Sequence, residues 1–282
     1  MKKRYFGFSL IALLLVVFLL PATSHYIPVL KSTGTIDGHQ LSAGPISGGK
    51  WQSVYEQSAT QNFPIGTRLQ IDDRVFRYCK AGGTTAVAMK AGHNGTADVG
   101  VNTAAVDYAI GETVITIADT TTRAADYYKD GYLWVMDLVS GIYQMYKIKS
   151  SAVAAADDDE VVLTLYEPIP VAIPASTWVT AWPNPYSNVI FTTSGYASMV
   201  CVPIIPVTTS YYFWGQTWGP CFGTAMSAIP GAANGDRAVF FNSDGALVNG
   251  SSLTTNGAQL AGYVITMTSG GGDQFYMLQL TP

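Results

Sequence analysis

The sequence predicts an all-β fold, a sandwich or barrel-like set of modules with an extended N-terminal arm and few short helices. First, short runs of β-branched and aromatic residues alternate with turn residues from Phe63 onward. Second, no window keeps a helical apolar period for more than about two turns. Third, 48% of the residues are hydrophobic and only 12% are charged, whereas ordinary globular chains carry about 25% charged residues. Such a chain has ample apolar material for a folded core.

A β-hairpin is the first predicted element. Residues 68–71 alternate polar and apolar positions, Asp72 and Asp73 supply a turn, and residues 74–78 return. Further runs of strand-forming residues lie at 113–118, 132–136, 142–149, 161–166, 178–182, 199–202, 211–218, 238–241, 263–267 and 275–280. Many short strands with turn signals between them are typical of a sandwich or barrel.

Interruptions divide this series of strands. Pro203 and Pro206 predict an edge or irregular strand after residue 202. Residues 122–129 are the one segment for which we predict a short helix. Pro183 and Pro185 interrupt both helix and ladder, so a domain boundary is predicted there. The expected organisation is a hydrophobic segment at 1–24, an extended arm at 25–62, a β domain at 63–182, and a second β domain or second half at 183–282.

The N-terminus has the pattern of an export signal. Basic residues at 2–4 precede an apolar stretch at 5–20, and Ala22 and Ser24 occupy the small positions of a cleavage site. As a helix, residues 6–20 of this stretch would span about 22 Å, short of the roughly 30 Å hydrocarbon core. Cleavage after Ser24 is expected, with no stable membrane span once the segment is removed.

Charge and cysteine content exclude some classes of protein. The net charge is −4 and the basic residues beyond the N-terminus are scattered, so no nucleic-acid partner is predicted. The three cysteines, Cys79, Cys201 and Cys221, lack the spacing of a zinc or redox pair. Buried free thiols are expected, and whether Cys201 and Cys221 pair stays open.

Candidate catalytic residues are few. Ser47 and Lys50 match S-x-x-K, but two glycines follow the serine where a helix start is needed, so a chance match is favoured. His93 stands in a Gly- and Asn-rich stretch and is interpreted as a surface turn residue. The acidic run at 157–160 lacks the ligand spacing of a calcium loop. The prediction is a non-enzyme with no catalytic residue, cofactor or metal.

The densest aromatic run, at 211–218, supplies the candidate binding residues. Alternation places Tyr212 and Trp214 on one face and Phe213 on the other. Both faces are apolar, so a central or covered strand is favoured, with Gly215 marking a bulge or close backbone approach. A partner interface and then a sugar site are the alternatives, and Tyr212, Trp214 and Trp218 are their candidate residues.

Segments across 31–282 carry a resemblance to a known group of proteins. They are SVYEQSATQNFPIGT at 53–67, DRVFRYCKAG at 73–82, YYKDGY at 127–132, LTLYEP at 163–168, YFWGQTWGP at 212–220 and DQFYML at 273–278. In these the chain resembles tailed-phage structural proteins of the capsid-decoration or head-associated type. The resemblance implies a virion component that binds and stabilises the capsid surface, with the major capsid protein and copies of itself as partners.

The export-like N-terminus suggests a second function. An exported bacterial surface or carbohydrate-binding β protein would begin at His25 after processing and would be secreted or held at the cell surface. A hydrolase using Ser47 and Lys50 is the third hypothesis. The host, the oligomeric state, the partner's identity and the true start site are not determined by the sequence.

Overall fold

The structure is a computed structural model, and it describes residues 35–36, 39–95, 102–118, 122–137, 141–154, 160–175, 177–193, 197–225, 237–250, 259–266 and 274–282. The all-β prediction is confirmed. The strands form two curled antiparallel sheets, one of twelve strands and one of six. We call these the large sheet and the small sheet.

The strands are numbered in chain order. They are β1 (Thr35–Ile36), β2 (His39–Leu41), β3 (Arg68–Ile71), β4 (Arg74–Lys80), β5 (Gly92–Asn94), β6 (Asn102–Thr103), β7 (Val114–Ala118), β8 (Tyr132–Asp137), β9 (Ile142–Ser151), β10 (Glu160–Leu165), β11 (Trp178–Trp182), β12 (Val189–Ile190), β13 (Met199–Pro203), β14 (Tyr212–Gly223), β15 (Ala238–Phe241), β16 (Leu247–Asn249), β17 (Gln259–Thr266) and β18 (Gln274–Gln279).

In the sequence, the strands of the small sheet lie between strands of the large sheet. The large sheet runs β1-β2-β3-β4-β14-β18-β17-β15-β16, with β13 joined to β14 and β5 joined to β12 and β13. The small sheet runs β6-β11-β8-β9-β10-β7, and a bridge between Ala104 and Ile117 brings its two ends together. The chain leaves the small sheet after Trp182. Strands β4 and β5, which precede the small sheet in the sequence, pair with strands that follow it.

Strand β14 is central to the large sheet, as its two apolar faces predict. It pairs with β4 along its first half, with β18 along its second half, and with β13 at Gly215 and Gln216. Tyr212 and Trp214 pack into one hydrophobic cluster, whereas Phe213 packs into another on the opposite face. A Cβ at Gly215 would lie 2.5 Å from the Cys201 Sγ, so the predicted close approach at this glycine is confirmed.

Alternating residues of the small sheet build its core. Inward-facing side chains of β7 to β11, among them Ile115, Leu133, Ile148 and Leu163, are fully buried. Loop residues such as Tyr128 complete the cluster. Because successive side chains of a strand point to opposite faces, the other half of these residues faces away from the core.

A buried polar junction connects the two sheets. Asn184 Nδ2 donates to the Asp130 carbonyl at 2.7 Å, beside the small sheet, and to the Ile65 carbonyl at 3.3 Å, beside the large one. The Ile65 N–H donates to Asp130 Oδ2 at 3.1 Å. The buried Asn184 amide, the Ile65 backbone and Asp130 thereby keep hydrogen-bond partners. These bonds join the small sheet to the large sheet.

The predicted helix at residues 122–129 is wrong. The segment is a series of turns in which Asp126 has a φ of 61°, a left-handed value that no interior helical position tolerates. The Asp126 N–H donates to the carbonyl of Ser151, and the Arg123 N–H to that of Ala154. Contacts with the small sheet therefore outweigh the weak local helical preference.

The described part of the predicted arm, residues 39–62, packs on the large sheet instead of extending away from it. Strand β2 pairs with β3, and Gln52, which is buried, donates from Nε2 to the Tyr212 carbonyl at 2.9 Å. The Tyr78 hydroxyl donates to Gln52 Oε1 at 2.7 Å. Side-chain hydrogen bonds of this kind cannot be inferred from the composition of residues 25–62, which are rich in Gly, Ser and Thr.

Candidate functional site

The outer face of the small sheet carries an unusual concentration of large apolar side chains. It is formed by the residues of β8, β9 and β11 that alternate with the core residues. Three cross-strand rows follow from the strand register: Trp178, Met136 and Tyr143; Thr180, Trp134 and Met145; and Trp182, Tyr132 and Lys147. We call the apolar members of these rows the aromatic face: Tyr132, Trp134, Met136, Tyr143, Met145, Trp178 and Trp182.

Several of these side chains are well exposed. Tyr143 is 60% exposed, Met145 68%, Trp178 46% and Trp182 44%. Single exposed apolar residues are normal on a protein surface, but a contiguous patch marks an interaction site. Trp, Tyr and Met are also the residue types enriched at the centre of protein interfaces.

Charge is sparse on the aromatic face. Lys147 Nζ lies 4.4 Å from the centroid of the Tyr132 ring, so the one cation in the cross-strand rows rests on an aromatic ring. The carboxylate nearest in sequence to the face, Asp137, ends β8. An apolar surface that few charges interrupt can be covered by a partner without a large desolvation cost.

A cleft of about 990 Å³ opens where the aromatic face meets the large sheet. We call it the inter-sheet cleft. Tyr132 and Trp182 belong to both the aromatic face and the cleft, and Tyr212 and Lys80 lie on the large-sheet side. The remaining lining is mainly polar or small, and includes Gln61, Gly82, Asn94, Gly95, Asp126, Tyr127, Lys129, Ser187, Asn188 and Ser210. Its size suits a small-molecule or oligomeric ligand.

The cleft wall next to Asn188 is closely packed. A Cβ added at Gly82 would lie 2.3 Å from Asn188 Oδ1, and one at Gly95 would lie 2.4 Å from Asn188 Nδ2. The glycines therefore make room for this amide, which is otherwise exposed. On the same wall, Asn94 Oδ1 is buried and has no hydrogen-bond partner among the described residues.

Asp130, which is 1% exposed, also lines the cleft, and its carboxylate is held by two hydrogen bonds. Besides the Ile65 N–H, it accepts a hydrogen bond from the Tyr166 hydroxyl, at 3.1 Å. Burial and the neighbouring Asp130 carboxylate together raise the pKa of Tyr166 to about 12. The tyrosine therefore stays protonated and keeps donating to the carboxylate at neutral pH.

The structure separates the three aromatic residues predicted from the sequence. Tyr212 is half-buried in the cleft wall and stacks on Tyr78, with 6.0 Å between ring centroids. Trp214 is 0% exposed and donates from Nε1 to the Gln52 carbonyl, so its ring is not available to a ligand or partner. Trp218 is half-buried at the register shift where β14 leaves β4.

The other candidate residues lie apart from the cleft. Ser47 and Lys50 are exposed in a turn closed by the Gly49 N–H and the Ile46 carbonyl. The interpretation of His93 as a surface turn residue is wrong. His93 is 5% exposed in β5, because β12 and β13 pair with that strand on both sides.

The cysteines are buried free thiols, as predicted. Cys201 neighbours Cys79, with 3.8 Å between the two Sγ atoms, and Cys221 lies in a different hydrophobic cluster. The hydrogen bond with Cys79 and burial together hold the pKa of Cys201 well above its usual value. Burial raises the pKa of Cys221 to about 12. Such thiols are poor nucleophiles.

Comparisons with known proteins identify no relative: no protein-family model, no curated protein and no solved structure matches the chain. Within the described ranges, no group of three or more His, Cys, Asp or Glu residues is arranged to hold a metal ion. Those same ranges contain no helix that is long and apolar enough to cross a membrane. The predicted export signal and the residues at 157–159 lie outside the described residues.

Sequence reasoning missed the aromatic face, although its signal is present. From the sequence, residues 132–136 (YLWVM) are predicted as a buried run. In the structure Leu133 and Val135 are buried, whereas Tyr132, Trp134 and Met136 face outward. The distinguishing signal is that seven of the nine positions in the three cross-strand rows carry an aromatic ring or Met, the exceptions being Thr180 and Lys147, whereas the inward positions of β8 are aliphatic.

Proposed function

We propose that this protein is a non-enzymatic structural component of a tailed-phage virion, and that it binds the capsid surface through the aromatic face. The observation that carries the proposal is the exposure of Trp178, Trp182, Tyr143 and Met145 on the same face of the small sheet, with β8 between their two strands. The sequence resemblance to capsid-decoration and head-associated proteins supplies the class of partner. The major capsid protein and further copies of this chain are the proposed partners.

The energetics of the aromatic face support a role in assembly. Aromatic side chains bury about 150–250 Å² when fully covered. Trp178 at 46% exposure and Trp182 at 44% therefore each retain roughly 100 Å², worth about 2–3 kcal/mol at about 25 cal/mol per Å². Together with Tyr143 and Met145 they supply a large part of the roughly 800 Å² per partner in a standard interface.

A competition experiment in infected source culture tests this proposal. Tagged copies of the wild-type chain and of Met145→Lys are supplied during infection, and particles are purified on a gradient. We expect the wild-type tag to enter particles and Met145→Lys to be depleted at least tenfold, because it buries a charge in the contact. Met145 is 68% exposed, so its replacement leaves the fold intact.

A matched control separates this effect from a general effect of added charge. Tyr55 is 65% exposed in a loop of the large sheet, and Tyr55→Lys should enter particles like the wild type. Equal incorporation of Met145→Lys and wild type would contradict the use of the aromatic face. Absence of the wild-type chain from particles, with protein found in the medium and beginning at His25, would favour an exported surface protein instead.

A further inference from the structure

We propose that the inter-sheet cleft binds a neutral oligosaccharide, with one sugar ring stacked on Trp182 and the sugar hydroxyls held by the amides of the cleft wall. The cleft shares Tyr132 and Trp182 with the aromatic face, so sugar binding is measured on the free protein, where that face is uncovered. The cleft volume of about 990 Å³ is at the upper end of the roughly 300–1,000 Å³ typical of ligand sites, which fits a short chain of sugar units.

The aromatic rings of the cleft suit the apolar face of a sugar. Trp182 is 44% exposed and makes no ring contact with another described aromatic residue, so the ring is free to stack. Its cross-strand neighbour is Tyr132, whereas the Tyr212 ring on the large-sheet side already contacts Tyr78 and Lys80. A sugar ring presents C–H groups on its faces and hydroxyls on its edges, and therefore matches a cleft in which the open ring of Trp182 lies beside polar groups.

The polar groups of the cleft suit hydroxyl groups. Asn94 Oδ1 is buried without a partner, and a buried acceptor of this kind is costly unless a ligand or water donates to it. The side chain of Asn188 is exposed at the same wall, with glycines packed behind it. An amide offers both a donor and an acceptor, which is what a hydroxyl requires because it can play either role.

The charges of the cleft are already compensated, which favours a neutral ligand. Lys129 Nζ lies 3.6 Å from Asp126 Oδ2, and Lys80 Nζ lies 5.5 Å from the centroid of the Tyr212 ring. The Asp130 carboxylate accepts from both the Ile65 N–H and the Tyr166 hydroxyl. Among the described residues of the cleft, no pair of cations without a partner is left to bind an anionic sugar. Likewise, no pair of free carboxylates is left to bind a cationic ligand.

A glycan screen with the folded full-length protein tests the site. Neutral and anionic glycans are screened, and each hit is titrated by intrinsic tryptophan fluorescence. We expect a neutral hit whose affinity falls about tenfold or more in Trp182→Ala, the loss typical of a central aromatic contact, and less in Trp182→Phe, which keeps a ring. Asn94→Ala should weaken the same hit several-fold.

Trp178→Ala is the matched control, because Trp178 has similar exposure on the same strand but does not line the cleft. It should bind like the wild type, and the melting temperatures of all variants establish that they are folded. The proposal is overturned if no glycan binds, if only anionic glycans bind, or if Trp182→Ala binds normally. Equal losses in both tryptophan variants would place the sugar on the aromatic face and not in the cleft. The incorporation test uses Met145→Lys, which does not line the cleft, so a failure of sugar binding and a failure of capsid attachment are measured separately.

Discussion

Replacing Asn184 by alanine is expected to destabilise the contact between the two sheets. Asn184 is 4% exposed, and its side chain makes three hydrogen bonds: two from Nδ2, to the Asp130 and Ile65 carbonyls, and one from the Tyr186 N–H to Oδ1. Truncation leaves all three backbone groups without this partner. Each unsatisfied buried group costs about 1–3 kcal/mol.

The expected magnitude is near the lower end of that range for each group. Asn184 borders the inter-sheet cleft, so water can reach part of the space that the side chain vacates and satisfy some of the lost bonds. We therefore expect a loss of about 3 kcal/mol in the free energy of unfolding. For a chain of this size that corresponds to a fall in Tm of roughly 6–12 °C.

Urea denaturation followed by circular dichroism measures the effect, with Asn188→Ala as the control. Asn188 is exposed four residues further along and borders the same cleft, and its replacement should change the free energy by less than about 0.5 kcal/mol. Asn184→Asp should be at least as damaging as Asn184→Ala at neutral pH, because a carboxylate would face two carbonyl oxygens. A loss below about 1 kcal/mol in Asn184→Ala would refute the reasoning.

Two further predictions concern Gly215 and Tyr166. Gly215→Ala should lower the free energy of unfolding by about 1–3 kcal/mol, because the new Cβ would meet Cys201 Sγ at 2.5 Å. Gly83→Ala is the control and should be neutral, because the space around Gly83 is open. Equal denaturation midpoints for the two variants would contradict this prediction. The pKa of Tyr166 is raised to about 12, so the folded state keeps a proton that the unfolded state releases near pH 10. The contribution of this proton to stability is therefore present below pH 10 and is lost as the pH rises towards 12. Ultraviolet titration of the folded protein should lose a phenol titrating near pH 12 in Tyr166→Phe, and an unchanged titration curve would contradict the assignment.

Much of the fold was predictable because the longer strands have a local sequence pattern of β-branched and aromatic residues between turn residues. The hairpin of β3 and β4 follows from residues 68–78, where Asp72 takes a φ of 52° as a two-residue turn requires. The strands of two or three residues, such as β5 and β12, were missed. They form because pairing with neighbouring strands satisfies their backbone groups, and that pairing lies far away in sequence.

The candidate site was less predictable, because it depends on which face of each strand is covered. The predicted binding residues came from the aromatic run at 211–218. In the structure, Trp214 is in the core, and Tyr212 is the one residue of this run that lines the inter-sheet cleft. The aromatic face lies on β8, β9 and β11, where apolar residues occupy both faces of the sheet. Periodicity cannot distinguish a covered apolar face from an exposed one, since only the assembled fold determines burial.

Intact-mass and quantitative mass spectrometry of gradient-purified particles from the source culture tests the central claim most directly. The account predicts abundant, near-stoichiometric protein in the particle band, in a fixed ratio to the major capsid protein, and the measured mass establishes where the chain begins. Protein absent from that band and present only in the medium, with a mass that begins at His25, would contradict the account.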